Sequence, residues 1–340
     1  MIVDRYYYGR LNDDEKTMYE EIYDGCKKHL EYIKLSASLD TMKKIYQRAI
    51  NALVLDNPLL YCVNQASIGF AKDSSDVLYA KPKYLYTQEQ ITKYDRLIQD
   101  TVNRIIDEWG MIEGTDIEKV RKVHDYLAGN VVYAYPQSNA EDQNDKEQAS
   151  SLIGALLFFS GNSESIAKTT KVILNAIDER CIIVDGSMNN SSGVTYKHDW
   201  NIVNIEGKPY HLDVSLDLNN RNNGWISYDY FNVSTSQIKG NHNYAGGLPE
   251  CVSIDENYFV LNALEFSELD LLKDYIRTEL KNGRRILYFK LSDAYQIKSH
   301  YKSLLEDGAK VLQTIGWKKV QAVRMINEAM NTCRIEYKQS

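Results

Sequence analysis

The stretch "HDWNIVNIEGKPYHLDVSLD", residues 198–217, predicts a β-hairpin. Apolar and polar residues alternate in "DWNIVNI" and "YHLDVSL", a pattern typical of strands, and "EGK" between them indicates the turn. Side chains that face each other across an antiparallel pair lie close together, so we expect His198 and Asp213 to be near neighbours. An imidazole oriented by a carboxylate forms two of the three parts of a nucleophilic triad.

The third part is sought upstream, at "SGNSESIAK", residues 160–168. Apolar residues recur from Ile166 to Ile177 at helical spacing, so Ser163 lies at the predicted start of an amphipathic helix. Free N–H groups at a helix N-terminus favour negative charge, which suits a nucleophile. Serine is also among the best N-cap residues, and a chain of this size contains Ser, His and Asp in some order by chance. Both interpretations of Ser163 stay open from the spacing alone.

The rest of the chain divides into three predicted regions by its periodicity. Residues 1–112 read as a mostly helical unit with two tyrosine-rich strands, "LLYCVN" and "KPKYLYT". Residues 113–248 hold the predicted hairpin and the Ser163 helix. Residues 249–340 restart the pattern as a helix, a strand, a helix and a closing hairpin, which indicates a small α/β domain of its own.

Composition excludes several classes of function. Of the 340 residues, 44% are apolar and 26% charged, a balance typical of a soluble protein with a substantial core. The net charge of −7 is small and dispersed, so neither a nucleic acid nor a membrane is an expected partner. The opening "MIVDRYYYGR" lacks the apolar segment of a signal peptide. We expect a cytoplasmic location, or a secreted one if a signal has been removed.

The cysteines and histidines do not indicate a metal site, a disulfide or a cofactor. The five cysteines are scattered, odd in number and without a CxxC pair. We therefore expect no metal and no cofactor. The histidines other than His198 carry less signal: His124 is expected to pack, His211 to be structural, and His242 shows no signal.

The motifs together resemble the bacterial transglutaminase-like family, which has a papain-type cysteine-protease fold. The resemblance covers roughly residues 118–235 and includes "VRKVHDYLAGNVVYAY", "GALLFFSGNSESIAKTTKVILNAI", "CIIVDG", the hairpin and "YDYFNVS". It implies an α+β fold in which a helix packs on an antiparallel sheet. The flanking "YYYGRLNDDEKTMYEEIYDG" and the region after 250 resemble clostridial members. Family motifs carried over to this chain place the base at His198 and its orienting carboxylate at Asp213.

The chain departs from the family pattern where the chemistry occurs. Ser163 stands where the resemblance places the nucleophilic cysteine, and Ser165 replaces a glycine of the helix start. Asp199 replaces a small residue after the base, and Leu216 replaces a tryptophan. A thiol with a pKa of about 8.5 can be stored as a thiolate beside an imidazolium, whereas an alcohol depends on concerted base help and an oxyanion hole. We expect four residues to line a cleft here: Ser165, Asp199, Trp200 and Asn201.

The leading hypothesis is therefore a catalytically inactive transglutaminase-like protein that binds a peptide or protein segment, or acts as a scaffold. One alternative is an active acyl-transfer or peptide/amide hydrolase with a Ser163–His198–Asp213 triad. Another is a native cysteine enzyme captured with serine in place of its nucleophile. A third places function on the terminal regions as interaction surfaces. Whether the chain is an enzyme, and its oligomeric state, stay open, and Cys181 is expected in the core.

Overall fold

The computed structural model describes residues 4–64, 67–134, 143–218 and 225–339. Its helices are α1 Asp13–Lys27, α2 Leu39–Asp56, α3 Gln88–Glu108, α4 Asp116–Asn130, α5 Gln143–Ser150, α6 Leu152–Leu157, α7 Ser163–Ala176, α8 Val214–Asp217, α9 Thr235–Ile238, α10 Tyr258–Leu261, α11 Leu269–Lys281 and α12 Ile297–Thr314. Its strands are β1 Ile33–Leu35, β2 Gly69–Lys72, β3 Leu78–Lys81, β4 Val132–Tyr133, β5 Ser160–Gly161, β6 Cys181–Asn189, β7 Thr195–Ile205, β8 Lys208–Leu212, β9 His242–Tyr244, β10 Glu265–Phe266, β11 Ile286–Leu291, β12 Val320–Asn327 and β13 Thr332–Gln339. Within the described ranges, every helix is too short or too polar to cross a membrane.

The central sheet has the strand order β8-β7-β6-β9 and is antiparallel throughout. Its β7–β8 connection is a two-residue turn in which Glu206 and Gly207 both have positive φ, 50° and 82°. Two left-handed residues match the twist of a tight hairpin, and glycine adopts this conformation without strain. Helix α7 packs on one face, where the Asn201 amide of β7 donates to the Ala167 carbonyl at 3.0 Å. The predicted α+β class, a helix on an antiparallel sheet, is confirmed.

A second four-stranded sheet lies in the C-terminal region, in the order β10-β11-β13-β12. Strands β12 and β13 form the predicted closing hairpin, with Val320 paired to Gln339 and Asn327 to Thr332. Its apolar core is separate from the central one and comprises Leu272, Ile276, Leu280, Leu287, Phe289, Leu291, Ile297, Leu304, Leu312, Cys333, Ile335 and Tyr337.

The N-terminal region differs from the prediction in its strands. "LLYCVN" and "KPKYLYT" were expected to be extended, but the small sheet there is formed by β1, β3 and β2. Leu60 and Val63 instead close successive turns, with their N–H groups donating to Asn57 and Leu60 carbonyls. The segment 60–63 is apolar because it is buried in the core, so its hydrophobicity did not signal a strand.

One apolar cluster runs from Leu11 in the N-terminal region to Phe231 after the central sheet. Polar contacts join the same parts: the buried Lys171 of α7 donates to the carbonyls of Asp4 and Cys181, at 2.8 and 2.9 Å. The N-terminal region therefore packs directly against the helix that begins at Ser163. The division at residues 112 and 248 stays a prediction.

Candidate active site

The start of α7 is set by a short parallel pairing and an asparagine cap. Strand β5 pairs with β4 so that Tyr133 lies opposite Gly161, two residues before the helix. The N-cap is Asn162, whose side chain accepts the Ser165 N–H at 3.1 Å. The expectation that Ser163 caps the helix is wrong. Asn162 precedes it and is an equally strong cap, so Ser163 becomes the first residue of α7.

Ser163 contacts backbone and tyrosine groups. Its Oγ accepts the backbone N–H of Asp199 at 3.3 Å. The half-buried Tyr133 hydroxyl also hydrogen-bonds to the side chain and backbone of Ser163, which limits the rise in pKa that burial imposes on this tyrosine. Only 6% of Ser163 is exposed. The position is therefore shielded, and a tyrosine occupies the helix start where an oxyanion would otherwise be bound.

Ser165 was expected in the cleft, and the structure corrects this. Its side chain is fully buried, donating to the Ser151 carbonyl at 2.5 Å and accepting the Ala155 N–H at 2.9 Å. A Cβ on Gly161 would come within 2.6 Å of Ser165 Oγ, so the two residues fit only because position 161 is glycine. Ser165 thus joins α6, β5 and α7 inside the fold.

His198 and Asp213 form the pair that the hairpin predicted. A carboxylate only accepts, so His198 Nε2–H donates to Asp213 Oδ2, at 2.6 Å. The alternation in "YHLDVSL" predicted that Asp213 lies within the strand, but β8 ends at Leu212, one residue before it. Its Oδ1 accepts the N–H groups of Ser215 and Leu216 and caps α8, because aspartate at a strand end favours a helix start. Each side chain of the pair is 1% exposed.

Electrostatics favour an imidazolium in this pair. Burial opposes a charge on His198, but the charge and hydrogen bond of Asp213 outweigh it, so the pKa of His198 is raised. Burial alone would raise the pKa of Asp213, yet His198 and His242 lower it well below its usual range.

The bond from nucleophile to base is not made. Nδ1 of His198 is buried and has no hydrogen-bond partner. Side chains alternate between the faces of β7: Asn201 bonds to α7, whereas His198 stacks with Trp200, their ring centroids 6.1 Å apart. The structure brings His198 together with Asp213 and places Ser163 beside the backbone of the next residue. A base must reach the hydroxyl to activate it, and no hydrogen bond joins His198 to Ser163 among the contacts of the described residues.

A third residue shares the carboxylate, and sequence reasoning missed it. His242, on the edge strand β9, is fully buried and its Nε2–H donates to Asp213 Oδ2 at 3.0 Å. Burial lowers the pKa of His242, although the hydrogen bond and charge of Asp213 oppose this. The Asn241 side-chain oxygen lies 2.7 Å from His242 Nδ1, and the Asn241 amide N–H donates to the Tyr230 hydroxyl at 2.8 Å.

The same three residues form a group that could hold a metal ion: one ligand atom each from His198, Asp213 and His242 lies within 4.8 Å of the others. Two N–H donors already satisfy the shared oxygen, at 2.6 and 3.0 Å. Binding a cation would require both protons to leave. The hydrogen-bonded arrangement accounts for the cluster, and the absence of a metal stays a prediction.

Two further expected cleft residues are buried inside the fold. Trp200 is 1% exposed and its Nε1–H donates to His211 Nδ1 at 3.1 Å. Asn201, also 1% exposed, donates to the carbonyls of Ala167 and Ile182. These side chains hold the central sheet together, so neither lines a cleft. His211, with its pKa lowered by burial to about 3, is a neutral acceptor.

Asp199 belongs to a charged cluster at the start of α7. Lys197 Nζ lies 3.7–3.8 Å from the carboxylates of Glu164, Asp185 and Asp199. Burial raises the pKa of Asp199 to about 7, although Lys197 opposes the rise. Its Oδ1 is buried without a hydrogen-bond partner. Asp199 is the expected cleft residue that retains an unsatisfied polar atom beside Ser163.

Cysteine offers no substitute nucleophile. All five cysteines are buried and unbonded to one another. Burial raises the pKa of Cys181 to about 12 and that of Cys62 to about 11, so neither forms a thiolate near neutral pH. Cys181 is 0% exposed, in agreement with its expected place in the core.

Two solved structures are similar to parts of this chain. A crystal structure of a transglutaminase (TGase) is 15% identical with a TM-score of 0.31, over 54% of this chain and 51% of that one. A candidate cysteine protease from Cytophaga hutchinsonii is 14% identical with a TM-score of 0.26, over 44% of this chain and 61% of that one. The chain thus spans about half to three fifths of their length. No protein-family model and no curated protein matches it.

Proposed function

We propose that the chain is a transglutaminase-like protein that does not catalyse acyl transfer and acts by binding a peptide or protein segment. The observation that carries the proposal is the Ser163 hydroxyl, which is bonded to the Asp199 N–H while Nδ1 of His198 has no partner. A serine needs a bonded base because it does not ionise at neutral pH. The buried cysteines leave no other thiolate.

Binding is supported by the polar atoms that the site leaves unsatisfied. His198 Nδ1 and Asp199 Oδ1 are both buried without partners. Buried polar groups are almost always hydrogen-bonded, so each atom marks a place, on opposite faces of β7, where another chain's amide group would complete the hydrogen bonding. A scaffolding role without a cleft ligand would leave them unexplained.

The test is an activity comparison in the folded protein. Incorporation of a fluorescent primary amine into a glutamine-containing peptide, and hydrolysis of the same peptide, are measured for wild type and Ser163→Ala. We expect equal rates, at background. Saturation-transfer NMR with a mixture of hexapeptides should then show the same contacts for both proteins. Product formation that disappears in Ser163→Ala would contradict the proposal.

The second candidate is an acyl transferase or amide hydrolase that uses Ser163, His198 and Asp213. It is favoured by the retained His198–Asp213 bond of 2.6 Å and the raised pKa of His198. It requires the imidazole to reach Ser163 when substrate binds. Under this alternative His198→Gln abolishes the same product as Ser163→Ala, whereas under the proposal neither variant changes the rate.

A further inference from the structure

A cavity of about 780 Å³ lies between the central sheet and the C-terminal region. Its walls include Met188 and Leu216 on one side and Tyr288, Met325 and Arg334 on the other. This volume lies within the usual range for sites that take small molecules or short peptide segments. The inference drawn from it does not depend on whether Ser163 is active.

Arg334 is the unusual group in the wall. It is 5% exposed, its guanidinium stands 4.9 Å over the ring of Trp225, and its Nε is buried with no hydrogen-bond partner. Its Nη1–H already donates to the Glu336 carboxylate, at 3.4 Å. Arginine stays charged at all accessible pH values, and the buried Nε–H has no acceptor among the described residues, so a bound acceptor would complete its hydrogen bonding.

Asp229, in the same cavity, does not supply that acceptor. Its Oδ1 accepts the hydroxyls of Tyr288 and Thr332, both at 2.6 Å, and its Oδ2 accepts the amide of Asn327 at 3.0 Å. These three donors hold the carboxylate against the wall. The described wall carries two carboxyls, Asp229 and Glu328, and two cations, Lys298 and Arg334, so its charges balance.

We propose that this cavity binds a peptide through a carboxylate, which pairs with the Arg334 guanidinium. The planar guanidinium fork matches a carboxylate with two parallel hydrogen bonds, and a monoanion is tolerated beside Asp229. Amide side chains in the wall, among them Asn189 and Gln296, suit the main chain of a peptide. The carboxylate is either the C-terminal one or that of an acidic side chain.

The experiment uses the full chain and three tripeptide probes, titrated by saturation-transfer NMR. The probes are acetyl-Ala-Ala-Ala with a free carboxylate, the same peptide as its amide, and acetyl-Ala-Glu-Ala-amide. We expect a carboxylate probe to bind at least tenfold more tightly than the neutral amide. Preference for the first probe assigns the C-terminal source, and preference for the third assigns the side chain. Equal binding of all three, or none, overturns the proposal.

Two arginine variants give the matched comparison. Arg334→Gln should erase the preference, whereas Arg324→Gln on the same hairpin should keep it, because Arg324 is exposed and stacks on Tyr301 instead. Loss of the preference in both variants would indicate general charge attraction and overturn the site. Arg334→Lys retains the charge without the fork and covers the case in which Arg334→Gln does not fold. Full preference in Arg334→Lys would overturn recognition by the fork.

Discussion

Two buried histidines of the described residues, His124 and His198, each contact an aspartate, and they differ in how completely the imidazole is bonded. His124 lies between Asp125 and Asp217, at 2.9 and 3.0 Å, so both ring nitrogens donate to carboxylates. His198 donates to Asp213 at 2.6 Å, and its other nitrogen has no partner. The first pair joins α4 to α8. In the second pair, Nδ1 of His198 is available to a group outside the described residues.

The difference separates structural histidines from site histidines. The expectation that His124 packs is incomplete, because it also carries a charge: burial opposes protonation, but the two carboxylates outweigh it and raise its pKa. A fully bonded imidazolium stabilises a fold and offers nothing to a ligand. An imidazole with one free nitrogen costs stability unless a partner supplies the bond. The comparison therefore predicts larger effects on stability at His124 than at His198.

The largest effect is expected when the shared carboxylate is removed. Asp213→Ala leaves the donors of His198, His242 and the α8 start unsatisfied, so the free energy of unfolding should fall by about 3–5 kcal/mol. Asp217→Ala should cost less, since His124 keeps its bond to Asp125. Urea unfolding at pH 7 measures both. The ranking fails if Asp213→Ala costs no more than Asp217→Ala.

Replacing the two histidines sharpens the comparison. His124→Gln loses one of two charged hydrogen bonds and should cost about 2–3 kcal/mol. His198→Gln exchanges the charged hydrogen bond to Asp213 for one from a neutral amide, so we expect about 1 kcal/mol. Both free energies come from urea unfolding at pH 6. The reverse order would mean that His198 is bonded more completely than the structure shows.

The pH dependence tests the carboxyl beside Ser163. The pKa of Asp199 is about 7 in the folded chain against an ordinary 3.8, so the folded state holds this proton more tightly. This proton therefore stabilises the folded state fully below about pH 4, and that stabilisation is lost as the pH rises through 7. Asp199→Asn removes that loss and should be more stable than wild type at pH 8 by about 1 kcal/mol or more.

The control for this profile is Asp185→Asn, in the same cluster. Asp185 is 48% exposed and lies 3.8 Å from Lys197, as Asp199 does. Chemical denaturation from pH 4 to pH 8 measures both variants, and we expect Asp199→Asn, which replaces the buried carboxyl, to gain stability relative to wild type as the pH rises. A difference from wild type that does not change with pH for Asp199→Asn would contradict the buried, unsatisfied carboxyl next to Ser163.

The smallest effect is expected at the nucleophile position itself. Ser163→Ala removes the acceptor of the Asp199 N–H, at 3.3 Å, and the side-chain contact with the Tyr133 hydroxyl, and should change the free energy of unfolding by no more than about 1 kcal/mol. Ser165→Ala leaves the Ala155 N–H unsatisfied in the core and should cost about 1–3 kcal/mol. Thermal and urea unfolding of the two variants check the order. Equal costs would show that Ser163 is bonded as tightly as a core residue.

The hairpin and its histidine–aspartate pair could be predicted because their information is local. Alternation identifies β7 and β8, and the residues of the "EGK" turn tolerate the positive φ that a tight connection requires. Asn162 was overlooked as the cap of α7, and Asp213 was placed in a strand, for a local reason too. Both are strong N-cap residues that lie between one element and the next. Periodicity alone does not identify which of several polar residues caps.

The rest depended on contacts between distant parts of the chain. His242 lies in a strand of only three residues and reaches Asp213 across 29 positions, so no periodic pattern marked it. Tyr133 was within a quoted motif, yet its place beside Ser163 follows from the pairing of β4 with β5. The burial of Ser165 and Asn201 likewise follows from how α7 packs on neighbouring elements. Such packing cannot be derived from a single sequence.

Labelling of the wild-type protein by a fluorophosphonate probe tests the central claim most directly, because the probe reacts only with a serine that a bonded base activates. The folded chain is incubated with the probe at pH 7.5 and its intact mass is measured. We predict an unmodified mass, since Ser163 Oγ is bonded to Asp199 and not to His198. A single adduct at Ser163 that disappears in His198→Gln would contradict the account.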